Sequence, residues 1–281
     1  MKRLFHFILS HSIFIAFCAS ALSLQTLQLL EIKVNGYLLA FIFFATLSGY
    51  NAYWTVSRFS FSSHSILNLV KRSMSALVVI LVAVAGMAYC FSRLHLLMYN
   101  VAITFVLLGL YALPVMPIKQ LHFLRRAGFL KTIVLALAWT IVTILIPLQI
   151  WITEISFPAM LLFANRFLFM LMLCIIFDKR DAAIDKIRGL QSLATDIRPL
   201  ILHWLMACIF IAYVCTSLAM APYGIITSQV AALVASGLVA LLVYGYSFRE
   251  RGYVYYYFLV DGLMFLSAIL TALPRIFMNG G

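Results

Sequence analysis

The feature that most constrains this chain is the recurrence of apolar runs, each about 20 residues long, along its whole length. Polar or charged residues separate the runs, which lie at about 7–30, 37–57, 73–91, 96–116, 130–151, 157–177, 200–220, 224–246 and 253–273. A bilayer core about 30 Å thick takes about 20 apolar residues per helix. The sequence therefore predicts an all-α membrane protein, a bundle of nine transmembrane helices that forms one domain over residues 1–281.

The composition excludes a soluble globular protein. Hydrophobic residues make up 65% of the chain and charged residues only 10%, whereas soluble domains are about 45–50% apolar and about 25% charged. The five cysteines lie inside apolar runs without a CxxC pair, and the six histidines show no HxxxH spacing. These patterns favour buried cysteines and predict neither disulfides nor a metal site built on histidine.

The distribution of lysine and arginine predicts the orientation. Lys33, Arg93 and Arg275 fall on one side of the nine-span arrangement, Arg166 falls inside a span, and the other 16 of the 20 fall on the N-terminal side. Because such residues accumulate in cytoplasmic loops, we expect a cytoplasmic N-terminus. The loops 58–72, 117–129 and 178–198 would share that side. The net charge of +12 then follows from topology and requires no nucleic acid, and we expect a multi-pass protein of a bacterial inner membrane.

Three of the eight acidic residues form a cluster, Asp178, Asp181 and Asp185, where a span reaches the basic side. Positions i, i+3 and i+7 share one helix face, and carboxylates on one face repel each other unless a cation bridges them. Mg²⁺ is commonly held by one or two carboxylates together with substrate phosphates. The alternative is a solvated helix end, whose carboxylates pair with neighbouring basic residues. Those residues are Lys179, Arg180, Lys186 and Arg188.

The aspartate cluster and the segment after it, Gly189-Leu190-Gln191-Ser192-Leu193-Ala194, resemble the second aspartate-rich motif of the UbiA family of intramembrane prenyltransferases. Tyr111-Ala112-Leu113-Pro114 and Lys131 resemble the family's region around helices four and five. The family has nine transmembrane helices with the N-terminus inside, and its second motif lies between helices six and seven, where the cluster falls here. The resemblance implies a UbiA-like fold over essentially the whole chain.

The first aspartate motif departs from the family pattern. In the family it reads NDxxDxxxD or NxxxDxxxD on helix two, but here Asn51 is followed by Thr55 and Phe59 where carboxylates are expected. A diphosphate carries about three negative charges, so fewer metal ions must be offset by more Arg and Lys. The candidates for this role are Arg58, Arg72, Lys119, Arg125, Lys131 and Lys186.

The resemblance implies a prenyltransferase that moves a prenyl group from an isoprenyl diphosphate to a lipophilic, often aromatic acceptor. Asp178, Asp181 and Asp185 would be its catalytic and Mg²⁺-binding residues, and Asn51 would contact substrate. Ionising an allylic diphosphate requires cations on the leaving group and a dry, aromatic-lined cavity. The alternative is a non-catalytic lipid- or prenyl-binding membrane protein on the same scaffold. In both cases the partners are membrane lipids and prenyl compounds.

Aromatic residues have two interpretations at this stage. Tyr53, Trp54, Tyr111 and Trp139 either line a prenyl cavity or pack in the ordinary way. The run of tyrosines from Tyr253 to Tyr257 opens the last apolar segment and is typical of an interfacial aromatic belt.

Two charged residues lie deep in predicted spans. Arg166 precedes Asp178 by 12 residues, about 18 Å along a helix, and Asp261 lies eight residues after Tyr253. Ionisable groups at membrane depth are costly and usually face a partner or a cavity. We therefore expect Arg166 and Asp261 to lie close together, as an ion pair between helices six and nine or as a substrate contact.

Overall fold

The computed structural model describes residues 2–60, 74–94, 98–112, 128–188, 193–249 and 251–279, and all regular secondary structure in these ranges is helical. The helices are α1 (Lys2–Ser10), α2 (Ile13–Leu29), α3 (Gly36–Ser60), α4 (Met74–Phe91), α5 (Met98–Ala112), α6 (Gly128–Thr140, then a π-helical segment Ile141–Leu145 and a last turn Ile146–Leu148), α7 (Phe157–Arg188), α8 (Leu193–Asp196), α9 (Pro199–Ala219), α10 (Thr227–Tyr246) and α11 (a π-helical segment Tyr255–Val260, then Asp261–Asn279).

Six helices in the described ranges are long and apolar enough to cross a membrane. They are Met74–Phe91, Phe129–Leu148, Phe157–Ala182, Pro199–Tyr223, Thr227–Tyr246 and Tyr255–Pro274, and the bent pair α1–α2 adds a seventh if it is counted as one span. Each predicted apolar run contains a helix, but α5 has only 15 residues and α3 is polar in its second half. The chain is thus an all-helical integral membrane protein, and the count of nine spans stays a prediction.

The first predicted run, 7–30, is broken rather than straight. Ser12 adopts the left-handed conformation with φ 58° and ψ 20°, and α1 and α2 meet there at an angle of 64°. An L-residue in this conformation cannot continue a right-handed helix, so the chain changes direction. Helix α2 packs against α3 and α11.

Large apolar side chains point outward along most of the bundle. Leu81, Phe105, Trp204 and Leu242 each keep more than 60% of their surface exposed. In water such a surface would favour aggregation, whereas lipid tails solvate it as well as a protein interior does. The backbone is helical where these side chains lie, so its polar groups bond within each segment, as a bilayer requires.

A proline explains an irregular stretch of α6. Pro147 has no backbone N–H, so the carbonyl oxygen of Thr143, four residues earlier, cannot receive the usual helical hydrogen bond. The hydroxyl of Thr26 on α2 donates to this oxygen over 2.8 Å. Asn100 on α5 donates to the carbonyl oxygens of Leu145 and Ile150 at 3.2 Å and 3.1 Å. Side chains of two other helices therefore stabilise the π-helical segment of α6.

The contact between α9 and α10 depends on a glycine. A Cβ atom at Gly237 would lie 2.4 Å from Cε1 of Tyr213. Tyr213 is 1% exposed, and its hydroxyl donates to the carbonyl oxygen of Leu233 over 2.8 Å. The tyrosine is thus fixed at both ends, and the two helices approach closely only because position 237 lacks a side chain.

Helix α7 is longer than the sequence indicates. The predicted loop 178–198 begins at Asp178, but α7 continues to Arg188 and α8 covers Leu193–Asp196. Asp178, Asp181 and Asp185 therefore lie on one continuous helix with the apolar span before them. This agrees with the helical spacing of the carboxylates and corrects the interpretation of their segment as a loop.

Candidate functional site

Asp178 lies where the buried part of α7 ends. The preceding residues from Met172 to Ile176 are buried in the bundle, and Asp178 itself is only 8% exposed. The hydroxyl of Thr132 on α6 donates a hydrogen bond to its Oδ2. A buried carboxylate needs such partners, because desolvation without them is expensive. The neighbouring helix therefore holds this carboxylate in place.

A cation and an aromatic pair lie next to this carboxylate. The Nζ atom of Lys131, adjacent in sequence to Thr132, lies 5.7 Å from the ring centre of Tyr111. The rings of Tyr111 and Tyr53 lie 5.4 Å apart. Lys131 and Asp178 are both within electrostatic range of the Cys174 thiol. Helices α3, α5, α6 and α7 thus bring one carboxylate, one ammonium group and two phenols into one neighbourhood.

The aromatic lining extends deeper through a second pair. Tyr50 lies one helical turn before Tyr53 on α3, and its ring is 6.0 Å from that of Trp139 on α6. The structure therefore brings together three of the predicted aromatic residues, Tyr53, Tyr111 and Trp139, and adds Tyr50. Trp54 lies on another side of α3, where it lines a separate cavity.

Asp181 is paired with its own neighbour. The Nε of Arg180 lies 2.7 Å from Oδ1 of Asp181, and Nη2 lies 2.9 Å from Oδ2. This bidentate arrangement uses both carboxylate oxygens. For Asp181 the described structure matches the helix-end alternative, in which basic residues of α7 neutralise the carboxylates. Asp178, by contrast, accepts a hydrogen bond from Thr132 on α6.

Arg180 also rests on aromatic rings of α7 and α11. Its guanidinium carbon lies 4.8 Å from the ring centre of Phe177, 5.4 Å from that of Tyr256 and 4.9 Å from that of Tyr257. Part of the predicted aromatic belt therefore contacts a cation inside the bundle. Sequence spacing gives no signal for the contacts of Arg180 with Tyr256 and Tyr257, because these tyrosines lie about 75 positions after Arg180.

Asn51, the residue that remains from the first motif, faces α1 and α2. Its amide nitrogen donates to the carbonyl oxygen of His11 over 2.8 Å and to that of Leu47 over 2.8 Å. It borders a cavity of about 210 Å³ together with Ser10, His11, Trp54, Thr55, Ser75 and Ala76. None of the residues around Asp178 lines this cavity. The described contacts therefore separate Asn51 from the second motif.

Several predicted site residues lie outside the described residues. Arg72, Lys119 and Arg125 fall in the undescribed ranges. Arg58 lies on α3, and Asp185 and Lys186 lie on α7, but the side chains of these three are outside the described part. Their roles stay predictions.

The residues around Asp178 fit Mg²⁺ only in part. Carboxylates are the ligands that Mg²⁺ prefers, and Asp178 and Asp181 lie one turn apart at the end of α7. However, Arg180 occupies both oxygens of Asp181. No group of three or more His, Cys, Asp or Glu residues in the described part is arranged to hold a metal ion. The donors have the right chemistry, and Arg180 is the obstacle to their use.

The predicted pair of Arg166 and Asp261 is wrong. Arg166 is 3% exposed; it donates to Oε1 of Gln25 over 2.6 Å and to the carbonyl oxygen of Leu22 over 3.4 Å. These two described residues form no ion pair with each other, and Asp261 instead lies within electrostatic range of Arg180. The prediction fails because the neutral amide of Gln25 on α2 accepts the hydrogen bond from Arg166. A search for oppositely charged residues does not consider such an acceptor.

The fold is that of UbiA-type prenyltransferases. The chain is similar to the solved structure of a digeranylgeranylglyceryl phosphate synthase, with 14% identity, a TM-score of 0.56 and coverage of 97% of this chain and 98% of that chain. It is also similar to the apo structure of a UbiA homolog from Aeropyrum pernix K1, with 14% identity, a TM-score of 0.53 and coverage of 96% and 98%. No protein-family model and no curated protein matches the sequence. The predicted UbiA-like fold is therefore confirmed, and substrates are a separate question.

Proposed function

We propose that this chain is an intramembrane prenyltransferase that moves a prenyl group from an isoprenyl diphosphate to a lipophilic acceptor. The observation that carries the proposal is the position of Asp178. It is a buried carboxylate bound by Thr132, the residue after Lys131, and it lies at the edge of a set of aromatic rings. A polar, charged end joined to an aromatic interior has the two properties that an isoprenyl diphosphate combines.

The charged end would hold the diphosphate. Mg²⁺, when bound, supplies positive charge that stabilises the departing diphosphate. Asp178 would carry this ion, and Thr132 keeps the carboxylate oriented. Lys131 would bind a phosphate oxygen directly, because an ammonium group donates charge-assisted hydrogen bonds. Thr55 and Phe59 provide no carboxylate for a second metal ion. Lys131 would therefore offset part of the diphosphate charge that such an ion would neutralise.

The aromatic end would hold the prenyl chain. When the allylic C–O bond breaks, positive charge develops on the prenyl carbon, and the faces of aromatic rings attract such charge. Tyr53 and Tyr111 lie nearest the charged end, and Tyr50 and Trp139 lie deeper. The lipid-like interior excludes water, which would otherwise capture the cation.

A second candidate is a prenyl- or lipid-binding protein without catalysis. Two observations favour it: Asp181 is neutralised by Arg180, and Asn51 bonds to His11 rather than facing the second motif. Such a protein would bind isoprenyl diphosphates through Lys131 without releasing diphosphate. The two candidates differ in whether Mg²⁺ is required and in whether the C–O bond breaks.

The distribution of Lys and Arg supports a cytoplasmic N-terminus, and we propose that the diphosphate site opens toward the cytoplasm of a bacterial inner membrane. Isoprenyl diphosphates are anionic and would reach the site from that side, while the acceptor would partition from the lipid.

The deciding experiment measures binding and diphosphate release with farnesyl diphosphate and purified protein, with and without millimolar Mg²⁺. We expect binding that requires Mg²⁺ and is abolished by Asp178→Ala. Asp196→Ala is the matched control, because Asp196 is an exposed aspartate outside the motif. Binding that is equally strong without Mg²⁺ and in the Asp178→Ala variant supports the second candidate. If no isoprenyl diphosphate binds under any condition, the prenyltransferase proposal is wrong and a lipid-binding protein on the same scaffold remains.

A further inference from the structure

One nitrogen of the Arg180 guanidinium makes no hydrogen bond to the described residues. Its Nε and Nη2 bind Asp181, but Nη1 is buried and has no hydrogen-bond partner among the described residues. The guanidinium lies over the rings of Phe177, Tyr256 and Tyr257. An aromatic platform attracts a cation without fixing its rotation, so it allows Arg180 to turn while its charge stays in place.

Asp261 carries the matching unpaired atom. The residue is 2% exposed, and its Oδ1 is buried without a hydrogen-bond partner in the part of the chain that the structure describes. A buried carboxylate oxygen without a donor is unfavourable and calls for an explanation. An unpaired donor and an unpaired acceptor therefore occur on the facing helices α7 and α11.

The π-helical segment of α11 places Asp261 on the side of the helix whose Tyr256 contacts Arg180. The backbone N–H of Asp261 bonds to the carbonyl oxygens of Phe258 and Tyr256, and the bond to Tyr256, five residues earlier, is the π-helical pattern. This pattern brings Tyr256 and Asp261 to the same side of α11, and Tyr256 is one of the rings beneath Arg180. The charges of Arg180 and Asp261 are within electrostatic range, although they form no ion pair.

We propose that Asp261 is an alternative partner for Arg180, and that Arg180 moves from Asp181 to Asp261 when Asp181 takes up Mg²⁺. Asp261 is then a positioning residue: it never touches substrate, but it removes the cation that blocks a metal ligand. The role of the metal rests on the proposed function, whereas the exchange between two carboxylates does not.

The exchange is tested first without metal, through thermal unfolding of the detergent-solubilised chain. Either carboxylate alone can hold Arg180, so Asp181→Asn and Asp261→Asn should each lower Tm only slightly. The double variant should lose far more than the sum, because the guanidinium then has no carboxylate. In an Arg180→Gln background this excess should disappear. Asp196→Asn, at an exposed position, is the control and should add independently.

The second arm measures binding of farnesyl thiolodiphosphate, an analogue that resists cleavage, as a function of Mg²⁺ concentration. Asp261→Asn should leave Arg180 on Asp181 and raise the Mg²⁺ midpoint at least about fivefold, in the range of ordinary coupling between sites. Asp261→Glu should restore the midpoint. In an Arg180→Gln background, Asp261→Asn should leave the Mg²⁺ midpoint unchanged.

The outcomes separate the two proposals. Additive losses of Tm overturn the exchange, whatever the ligand data give. Non-additive losses with a wild-type chain that binds no isoprenyl diphosphate support the exchange and overturn the proposed function. If the wild type binds the analogue and Asp261→Asn leaves its Mg²⁺ midpoint unchanged, the positioning role of Asp261 is wrong.

Discussion

The guanidinium of Arg166 donates to Oε1 of Gln25 over 2.6 Å, and the amide nitrogen of the same glutamine donates to Oγ1 of Thr271 over 2.9 Å and to the carbonyl oxygen of Ser267 over 3.0 Å. One glutamine thus connects α7 to α11 through α2. All four residues are buried. A cation at membrane depth is accommodated by oriented neutral dipoles, and the stability of three helices depends on one side chain.

We therefore expect Gln25→Leu to destabilise the protein. The variant keeps the size of the side chain but removes the acceptor of a charged donor, at a cost of about 1.5–3 kcal/mol. Thermal unfolding in detergent measures the loss. Gln28→Leu on the same helix is the control, since Gln28 is only half-buried. Equal Tm values for the two variants would contradict this role of Gln25.

Gly237→Ala should also destabilise the bundle. The new methyl group would meet the ring of Tyr213 at 2.4 Å, and overpacking of this kind costs about 1–3 kcal/mol. Gly245→Ala on the same helix is matched in chemistry and meets nothing within 4 Å. The prediction fails if Gly237→Ala unfolds at the same temperature as Gly245→Ala.

Lys131→Gln should weaken binding of farnesyl diphosphate by about tenfold, equivalent to about 1.4 kcal/mol. The charge of Lys131 lies over the ring of Tyr111, and the next residue, Thr132, binds Asp178, where we place the diphosphate. Equilibrium binding in millimolar Mg²⁺ measures the change. Lys33→Gln removes the same charge from an exposed position on the opposite side of the predicted topology and should leave the affinity unaltered. An unaltered affinity of Lys131→Gln would remove Lys131 from the proposed site.

The orientation is tested by labelling single cysteines with a membrane-impermeant maleimide in a cysteine-free background. Asp196→Cys, after α7, should react only in permeabilised cells. Glu154→Cys, between α6 and α7, should react in intact cells. Both positions are exposed, so accessibility to the reagent is comparable. Labelling of Asp196→Cys in intact cells would contradict the cytoplasmic assignment of the 178–198 segment.

The sequence predicts much of the fold because lipid imposes a simple rule. An apolar run of sufficient length must be helical, and each predicted run contains a helix. It does not predict the break at Ser12, because nothing in the local composition of 7–30 marks a left-handed serine. It also misses the continuation of α7 to Arg188, because charged residues end an apolar run without ending a helix.

The site is predictable only where local spacing decides it. DxxDxxxD correctly predicts carboxylates on one helix at the end of a span. The partners are set by packing between helices, which periodicity does not encode: Thr132 binds Asp178, and Gln25 takes the place of Asp261 beside Arg166. The pairing of Arg180 with Asp181 is one of the alternatives that the sequence offers, but two of the three rings beneath Arg180, Tyr256 and Tyr257, come from α11.

The break at Ser12 determines how the first span matches the membrane. Because α1 leaves the axis of α2 at 64°, we expect Ile13–Leu29 to cross most of the hydrocarbon, and its 17 residues extend about 26 Å. A typical core is about 30 Å thick, so we expect α2 to be too short for a thick bilayer and the headgroups to move inward around it. Hydrophobic mismatch will therefore act first on α2, and with it on Gln25. Lengthening the acyl chains of the host liposomes should lower the stability of the protein through this helix.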